Sequence, residues 1–148
     1  MGTNQTLTSK PPIYLGFDLG SKSLGIAIRN RLGMIMPLPA WFFPRLDERQ
    51  LHQLILRLNE EHQPNALVFG SPYHADGRES SQTTWVQGVV SRLGLSINIP
   101  MHTVDERFTT IEAKERLHEY GLPEKKQKDY IDSVAACIIL EQYERQPR

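Results

Sequence analysis

The feature that most constrains the fold is a change of hydrophobic period early in the chain. Apolar segments at 13–17, 24–29 and 34–38 are short and are separated only by turns at 20–23 and 30–33. Such short links join neighbouring antiparallel strands, so we predict a three-stranded meander whose last strand Pro39 ends. From residue 51 onward the apolar residues follow the i, i+3, i+4, i+7 spacing of an amphipathic helix. The helical set is Leu51, Leu54, Ile55 and Leu58.

Strands and helices alternate after that first helix, which Pro64 closes. The predicted elements are a strand at 66–69, a helix around Trp85 to Leu93, a strand at 101–104, a helix from Thr109 to Tyr120 stopped by Gly121, a loop at 124–128 and a last helix at 129–143. Strands that are reached through helical crossovers run parallel to the first strand. The order therefore predicts an α/β, RNase H-like fold: a five-stranded mixed sheet, three strands antiparallel and then two parallel, with helices on both faces.

The length of 148 residues fits one domain. We expect a disordered extension over 1–12 and one folded domain over 13–145. The single cysteine, Cys137, excludes an intramolecular disulfide and suits a reducing compartment, so we expect a cytoplasmic protein. No apolar run reaches the roughly 20 residues that a membrane helix needs. Lysine plus arginine and aspartate plus glutamate are 17 each, which argues against broad attraction to nucleic acid but leaves room for a local basic patch.

Four acidic residues stand where a metal site could form. Asp18 follows the first strand, and Asp105 and Glu106 follow the fifth. Ligands gather beyond the carboxyl ends of parallel strands, so these side chains could converge. Asp132 lies in the last helix at the edge of its apolar stripe, on the face of Ala135, and should therefore face the sheet.

Carboxylates brought together repel one another, and a divalent cation relieves that repulsion. Mg²⁺ prefers carboxylate oxygens, and a pair of such ions about 3.5–4 Å apart can hydrolyse phosphodiesters. We predict that Asp18 is a shared ligand of Mg²⁺ or Mn²⁺ and that Glu106 and Asp132 complete the site. Alternation sends Asp105 and Glu106 to opposite sides of the strand, so only one can point inward. We favour Glu106, with Asp105 as a second catalytic candidate or a support.

Simpler interpretations remain open for each acidic residue. Asp18 could only form a turn, Asp105 and Glu106 could begin a solvated loop, and Asp132 could cap the start of a helix.

Basic residues near these carboxylates could hold a nucleic-acid backbone. The predicted nucleic-acid contacts are Lys22, Arg107, Lys125, Lys126 and Lys128. An exposed basic loop without a ligand is the alternative for the lysine run.

Four segments together resemble the motifs of one family. They are Tyr14–Ile28 (with Gly-Phe-Asp-Leu-Gly-Ser-Lys), Val68–Pro72 followed by Asp76-Gly77, Val104–Thr110 (Val-Asp-Glu-Arg-Phe-Thr-Thr), and Ile131–Ala136 (Ile-Asp-Ser-Val-Ala-Ala). In this order and spacing they are similar to the YqgF (RuvX-type) family, over roughly Ile13 to Tyr143. The resemblance implies an RNase H-like nuclease domain whose acidic site falls on Asp18, the Asp105–Glu106 pair and Asp132.

One loop departs from the family. The family tends to have Gly-Leu-Pro-Leu-Asn-Met-Asp-Gly where this chain has Gly70-Ser-Pro-Tyr-His-Ala-Asp-Gly77. No role of the replaced Asn is carried over, and Ser71, Tyr73 and His74 could alter specificity.

The resemblance implies two related activities. The first is a metal-dependent endonuclease that matures the 5′ end of pre-16S rRNA in ribosome biogenesis. The second is a Holliday junction resolvase, which would need a stable two-fold dimer, although the sequence shows no obvious dimer surface and we expect a monomer or weak homodimer. A non-catalytic RNA-binding factor is a third hypothesis. A nucleotide-binding phosphotransferase is a fourth, which we disfavour because such enzymes need a second domain and 148 residues leave no room for one.

Overall fold

The computed structural model describes residues 11–71, 77–105 and 124–146, and the side chains of the last stretch from Tyr130 onward. The strands are β1 (Tyr14–Leu19), β2 (Ser23–Arg29), β3 (Ile35–Phe42), β4 (Ala66–Ser71) and β5 (Met101–Asp105). The helices within those ranges are α1 (Glu48–His62), α2 (Ser81–Gly94) and α3 (Glu124–Arg145). None of these helices is long and apolar enough to cross a membrane.

The five strands form one mixed sheet in the order β3-β2-β1-β4-β5. The β1–β2 and β2–β3 pairs are antiparallel, and β1–β4 and β4–β5 are parallel. This confirms the predicted architecture of three antiparallel strands followed by two parallel ones. β1 lies at the centre, so the residues at its carboxyl end have a neighbouring strand on both sides.

Two helices cover one face of the sheet, which we call the α1–α2 face. Its core is built from large side chains: Leu15, Phe17, Ile26, Leu67 and Phe69 of the strands, with Leu51, Ile55, Val89 and Leu93 of the helices. Phe17 and Phe69 stack with ring centroids 4.9 Å apart. Asp47 is the N-cap residue of α1, and its side chain accepts hydrogen bonds from the Arg49 and Gln50 backbone amides.

The opposite face is covered by α3, and we call it the α3 face. Its core contains Tyr14, Ala27, Ala66, Val68 and Val104 of the strands, with Ala136, Cys137, Ile139, Leu140 and Tyr143 of α3. A Cβ on Gly16 would lie 2.6 Å from Leu140 Cγ and 3.0 Å from the Ala136 carbonyl oxygen. The helix therefore approaches the sheet closely, as the small residues allow.

Two predicted boundaries were wrong. β3 does not end before Pro39 but continues to Phe42, with Pro37 opposite Ala27. β3 is an edge strand, and a proline is tolerated there because an outward-facing amide has no ladder partner to lose. α3 begins at Glu124, so residues 124–128 are helical and do not form the predicted loop.

Two other expectations lie outside the described residues: the helix from Thr109 to Tyr120, and the first ten residues of the predicted disordered extension.

Candidate active site

Asp18 lies on the α3 face at the carboxyl end of β1. Tyr14 belongs to the core under α3, and Gly16 touches that helix, so alternation along the strand places Asp18 on the same face. Its carboxylate is half-buried. Asp18 is paired with Gly25 of the antiparallel neighbour β2. The residue directly opposite it therefore has no side chain.

α3 approaches the sheet closely at Gly25. A Cβ built on Gly25 would lie 2.0 Å from the backbone oxygen of Asp132 and 2.9 Å from the Ser133 amide nitrogen. Only glycine avoids this collision, because the atoms met are helix backbone and cannot rotate away. Asp18 and the backbone of Asp132 are therefore both neighbours of Gly25 on the α3 face of the sheet.

Two hydrogen bonds fix α3 against β2 on each side of this contact. The Ser23 hydroxyl donates to Asp132 Oδ2, and the Ile26 backbone amide donates to Ser133 Oγ at 3.0 Å. Ser133 is fully buried, and the register of β2 against β3 shifts between Leu24 and Ile26. The Ser133 hydroxyl of α3 thus accepts the hydrogen bond of a β2 backbone amide at the point where the pairing of β2 with β3 is irregular. These contacts hold Asp132 over the beginning of β2, beside the turn that follows Asp18.

Asp105 lies on the other face of the sheet. His102 packs its ring 5.2 Å from that of Tyr143 in α3, and Val104 belongs to the core under α3. Met101 packs against the core of the α1–α2 face, and Asp105 has the parity of Met101. The register partner of Asp105 is Ser71, whose buried hydroxyl has no hydrogen-bond partner within the described ranges. The structure does not bring Asp105 to the side chains of Asp18 and Asp132.

The described carboxylates suit a divalent metal in type. Asp18 and Asp132 offer hard oxygen donors, the kind that Mg²⁺ and Mn²⁺ prefer. Across residues 11–71, 77–105 and 124–146, no group of three or more histidine, cysteine, aspartate or glutamate side chains could hold a metal ion. The third predicted ligand, Glu106, lies outside those residues.

The predicted nucleic-acid contacts are only partly visible. Lys22 is exposed in the turn between β1 and β2, at the same end of the sheet as Asp18. Lys125, Lys126 and Lys128 lie in the first turns of α3, without described side chains, and Arg107 lies outside the described residues.

Ser23, Gly25 and Ser133 are the site residues that sequence reasoning missed. Ser23 was assigned to a turn, although it is the first residue of β2. A hairpin register drawn from the short turn would have placed Gly25 opposite Asp18. That signal indicates a close approach at Gly25 but does not identify α3 as the element that makes it.

The comparisons with known proteins agree with this architecture. The sequence profile described as "RuvX: Holliday junction resolvase" matches residues 12–146. A protein of Legionella pneumophila (strain Lens) is 35% identical over 144 residues, covering 90% of this chain and 96% of its own. One of Methylobacillus flagellatus is 38% identical over 130 residues, covering 87% and 88%. Both relatives carry the name "Putative pre-16S rRNA nuclease".

Solved structures share the fold. The RuvC protein of T. thermophilus, bound to a Holliday junction substrate, superposes with a TM-score of 0.57 at 16% sequence identity, covering 91% of this chain and 96% of its own. RuvC of Thermus thermophilus determined in another structure gives a TM-score of 0.55 at 15% identity, covering 90% and 95%. The fold is thus RNase H-like and similar to that of RuvC, and the profile match together with the sequence relatives shows that the chain belongs to the RuvX family of nucleases.

Proposed function

We propose that this nuclease is a divalent-metal-dependent endonuclease that hydrolyses phosphodiester bonds in the 5′-end maturation of pre-16S rRNA. The observation that carries the proposal is the close approach of α3 at Gly25, which has both the Asp132 backbone and the strand residue Asp18 as neighbours. Two carboxylates from different elements, half-buried on one face, are costly unless a cation or donors offset their charge. The names of the sequence relatives support RNA as the substrate.

The proposed ligands of Mg²⁺ or Mn²⁺ are Asp18, Asp132 and Glu106. Glu106 is preferred over Asp105 because Asp105 lies on the α1–α2 face, whereas Asp18 and Asp132 lie on the α3 face. When bound, the metal supplies activation of the attacking water and stabilisation of the leaving oxygen. Asp18, on the central strand, and Asp132, on α3, would place the metal next to the scissile phosphate. Ser23 orients the carboxylate of Asp132 through its hydrogen bond.

The proposed nucleic-acid contacts are Lys22, Arg107, Lys125, Lys126 and Lys128. Lys22 projects from the turn beside Asp18, so it would meet the phosphate backbone close to the scissile bond. Five such contacts would make binding strongly salt-dependent despite the zero net charge of the chain. We further propose that the protein acts in the cytoplasm as a monomer or weak homodimer.

Cleavage of branched DNA is the second candidate. The family profile carries the description of a Holliday junction resolvase, and the RuvC structure with the same fold holds such a junction. Symmetric cutting of two strands requires two copies related by a two-fold axis. A dimer that forms at working concentration, together with preference for a junction, would therefore favour this candidate.

The test is a panel of labelled precursor rRNA fragments, single strands and four-way DNA junctions, incubated with Mg²⁺ or Mn²⁺. We expect metal-dependent cutting of the precursor rRNA by wild type. Asp18→Asn should reduce the rate by more than the roughly 100-fold that loss of an outer hydrogen bond to a metal ligand can cost. Glu106→Gln should lose more activity than Asp105→Asn, since Asp105 lies on the α1–α2 face, away from Asp18 and Asp132.

Other outcomes would revise the proposal. Preferential cutting of junctions would select the resolvase. No cutting on any substrate, with every variant folded by circular dichroism, would select the RNA-binding factor.

A further inference from the structure

We infer that Ser23 is a positioning residue, which sets the orientation of the Asp132 carboxylate for metal binding. The inference rests on the proposed function, because it assigns Asp132 as a metal ligand. The sequence predicts Ser23 only as part of a turn. It is not one of the acidic or basic residues predicted for the site. The hydrogen bond from its hydroxyl to Asp132 Oδ2 joins residues 109 positions apart in the chain.

Ser23 is held rigidly relative to Asp18. The Gly20 amide donates to the Ser23 carbonyl oxygen at 2.8 Å, which closes the turn, and the Phe43 amide donates to the neighbouring Lys22 carbonyl at 3.0 Å. Leu19 and Leu24, the residues that flank the turn, form the last pair of the β1–β2 hairpin. The position of the Ser23 hydroxyl is therefore set by the same hairpin that carries Asp18.

Within the described residues, the hydrogen bond from Ser23 is the contact that orients the Asp132 carboxylate about its two side-chain torsions. Its backbone is fixed by the contact at Gly25 and by the bond from the Ile26 amide to Ser133, but neither contact touches the carboxylate. Ser23 occupies one lone pair of Oδ2 and leaves the other acceptor sites of the carboxylate open. A ligand held in one orientation loses less conformational freedom when the cation binds.

Loss of this hydrogen bond should therefore weaken metal binding more than it weakens the fold. Removal of the partner of a metal ligand typically costs 10–100-fold in metal affinity. For Ser23→Ala we expect an increase of about 10-fold in the Mn²⁺ concentration that half-saturates the protein, at the lower end of that range. The cleavage rate at saturating Mn²⁺ should fall much less, because the carboxylate itself is retained.

The matched control is Ser21→Ala. Ser21 is exposed and lies two residues earlier in the same turn, so the substitution removes the same hydroxyl at a comparable place without touching Asp132. A second pair, Ser23→Thr and Ser23→Val, has nearly identical shape but only threonine keeps the hydroxyl. Comparing these two variants shows whether the hydroxyl group itself is needed for Mn²⁺ binding, even if the smaller alanine loosens the hairpin.

The experiment measures Mn²⁺ binding by electron paramagnetic resonance of the free ion, and cleavage as a function of Mn²⁺ concentration, on each full-length variant. The inference expects weaker binding for Ser23→Ala and Ser23→Val, with wild-type binding for Ser21→Ala and recovery in Ser23→Thr. In the Asp132→Ala background, which removes the acceptor of the Ser23 hydrogen bond, Ser23→Ala should add no further loss. A purely structural role would lower the melting temperature and leave the Mn²⁺ dependence of the folded protein unchanged.

Two results would overturn the inference, and they differ from failure of the proposed function. Wild-type Mn²⁺ dependence in folded Ser23→Ala and Ser23→Val would exclude Ser23 as a positioning residue while the nuclease function stands. A further loss from Ser23→Ala in the Asp132→Ala background would show that Ser23 acts on something other than Asp132. Failure of the proposed function would instead appear in the wild-type protein, as absence of both Mn²⁺ binding and cleavage.

Discussion

The face of the sheet under α1 and α2 is packed with large apolar side chains, whereas glycine, alanine and serine lie where the α3 face meets its helix. Leu15, Phe17 and Phe69 on the first face are fully buried. On the second face, α3 lies directly on Gly16 and Gly25, and two serines bond across the contact. Large side chains bury more apolar area and stabilise the fold, while small ones let backbones approach and fix polar groups. We therefore expect the largest losses of stability from substitutions on the α1–α2 face and the largest losses of activity from substitutions on the α3 face.

The largest loss of stability is expected on the α1–α2 face. Ile55→Ala removes a fully buried side chain of α1, which should lower the free energy of unfolding by about 2–5 kcal/mol. Urea denaturation measures the loss, and Leu56→Ala, at a position 41% exposed, is the control that should change little. Cleavage per folded molecule should stay at the wild-type value. A large fall in that quantity would show that the two faces do not divide stability and chemistry.

A smaller loss of stability but a larger loss of activity is expected on the α3 face. Gly25→Ala forces a Cβ against the Asp132 carbonyl oxygen, and overpacking of this kind costs about 1–3 kcal/mol. α3 must move away, so Asp132 separates from Asp18 and cleavage per folded molecule should fall with the stability. Gly94→Ala is the matched control, since a Cβ there meets nothing within 4 Å. If Gly25→Ala unfolds like Gly94→Ala and cuts like wild type, the close approach has no functional role.

The fold was predictable because its signals are local. Short turns at 20–23 and 30–33, the helical spacing from Leu51 and the alternation after Pro64 determine the strand directions, and the sheet confirms them. Pro39 predicts too early an end for β3, because a proline is compatible with a strand that lies at the edge of a sheet. The position of a strand within the sheet is a property of the whole fold and cannot be read from residues 34–42.

The acidic residues were recognisable, but their arrangement was not. Asp18 and Asp132 could be selected from a strand end and a helix face. They come near each other because α3 packs closely on Gly25. The need for a glycine there is evident only from the folded structure, since α3 lies more than 100 residues further along the chain. Ser23 was missed for the same reason, since a serine near a turn is common and its partner is distant in sequence.

The most direct test of the central claim compares wild type with Asp132→Asn in Mg²⁺-dependent cleavage of a precursor rRNA fragment. The amide oxygen of asparagine can still accept a hydrogen bond from Ser23, so the packing of α3 on β2 is kept while the charge is lost. The account predicts a folded protein, with an unchanged melting temperature, in which cleavage is lost. Cleavage at the wild-type rate and with the wild-type Mg²⁺ dependence would contradict it, because the chemistry would then not depend on the carboxylate that α3 brings to the sheet.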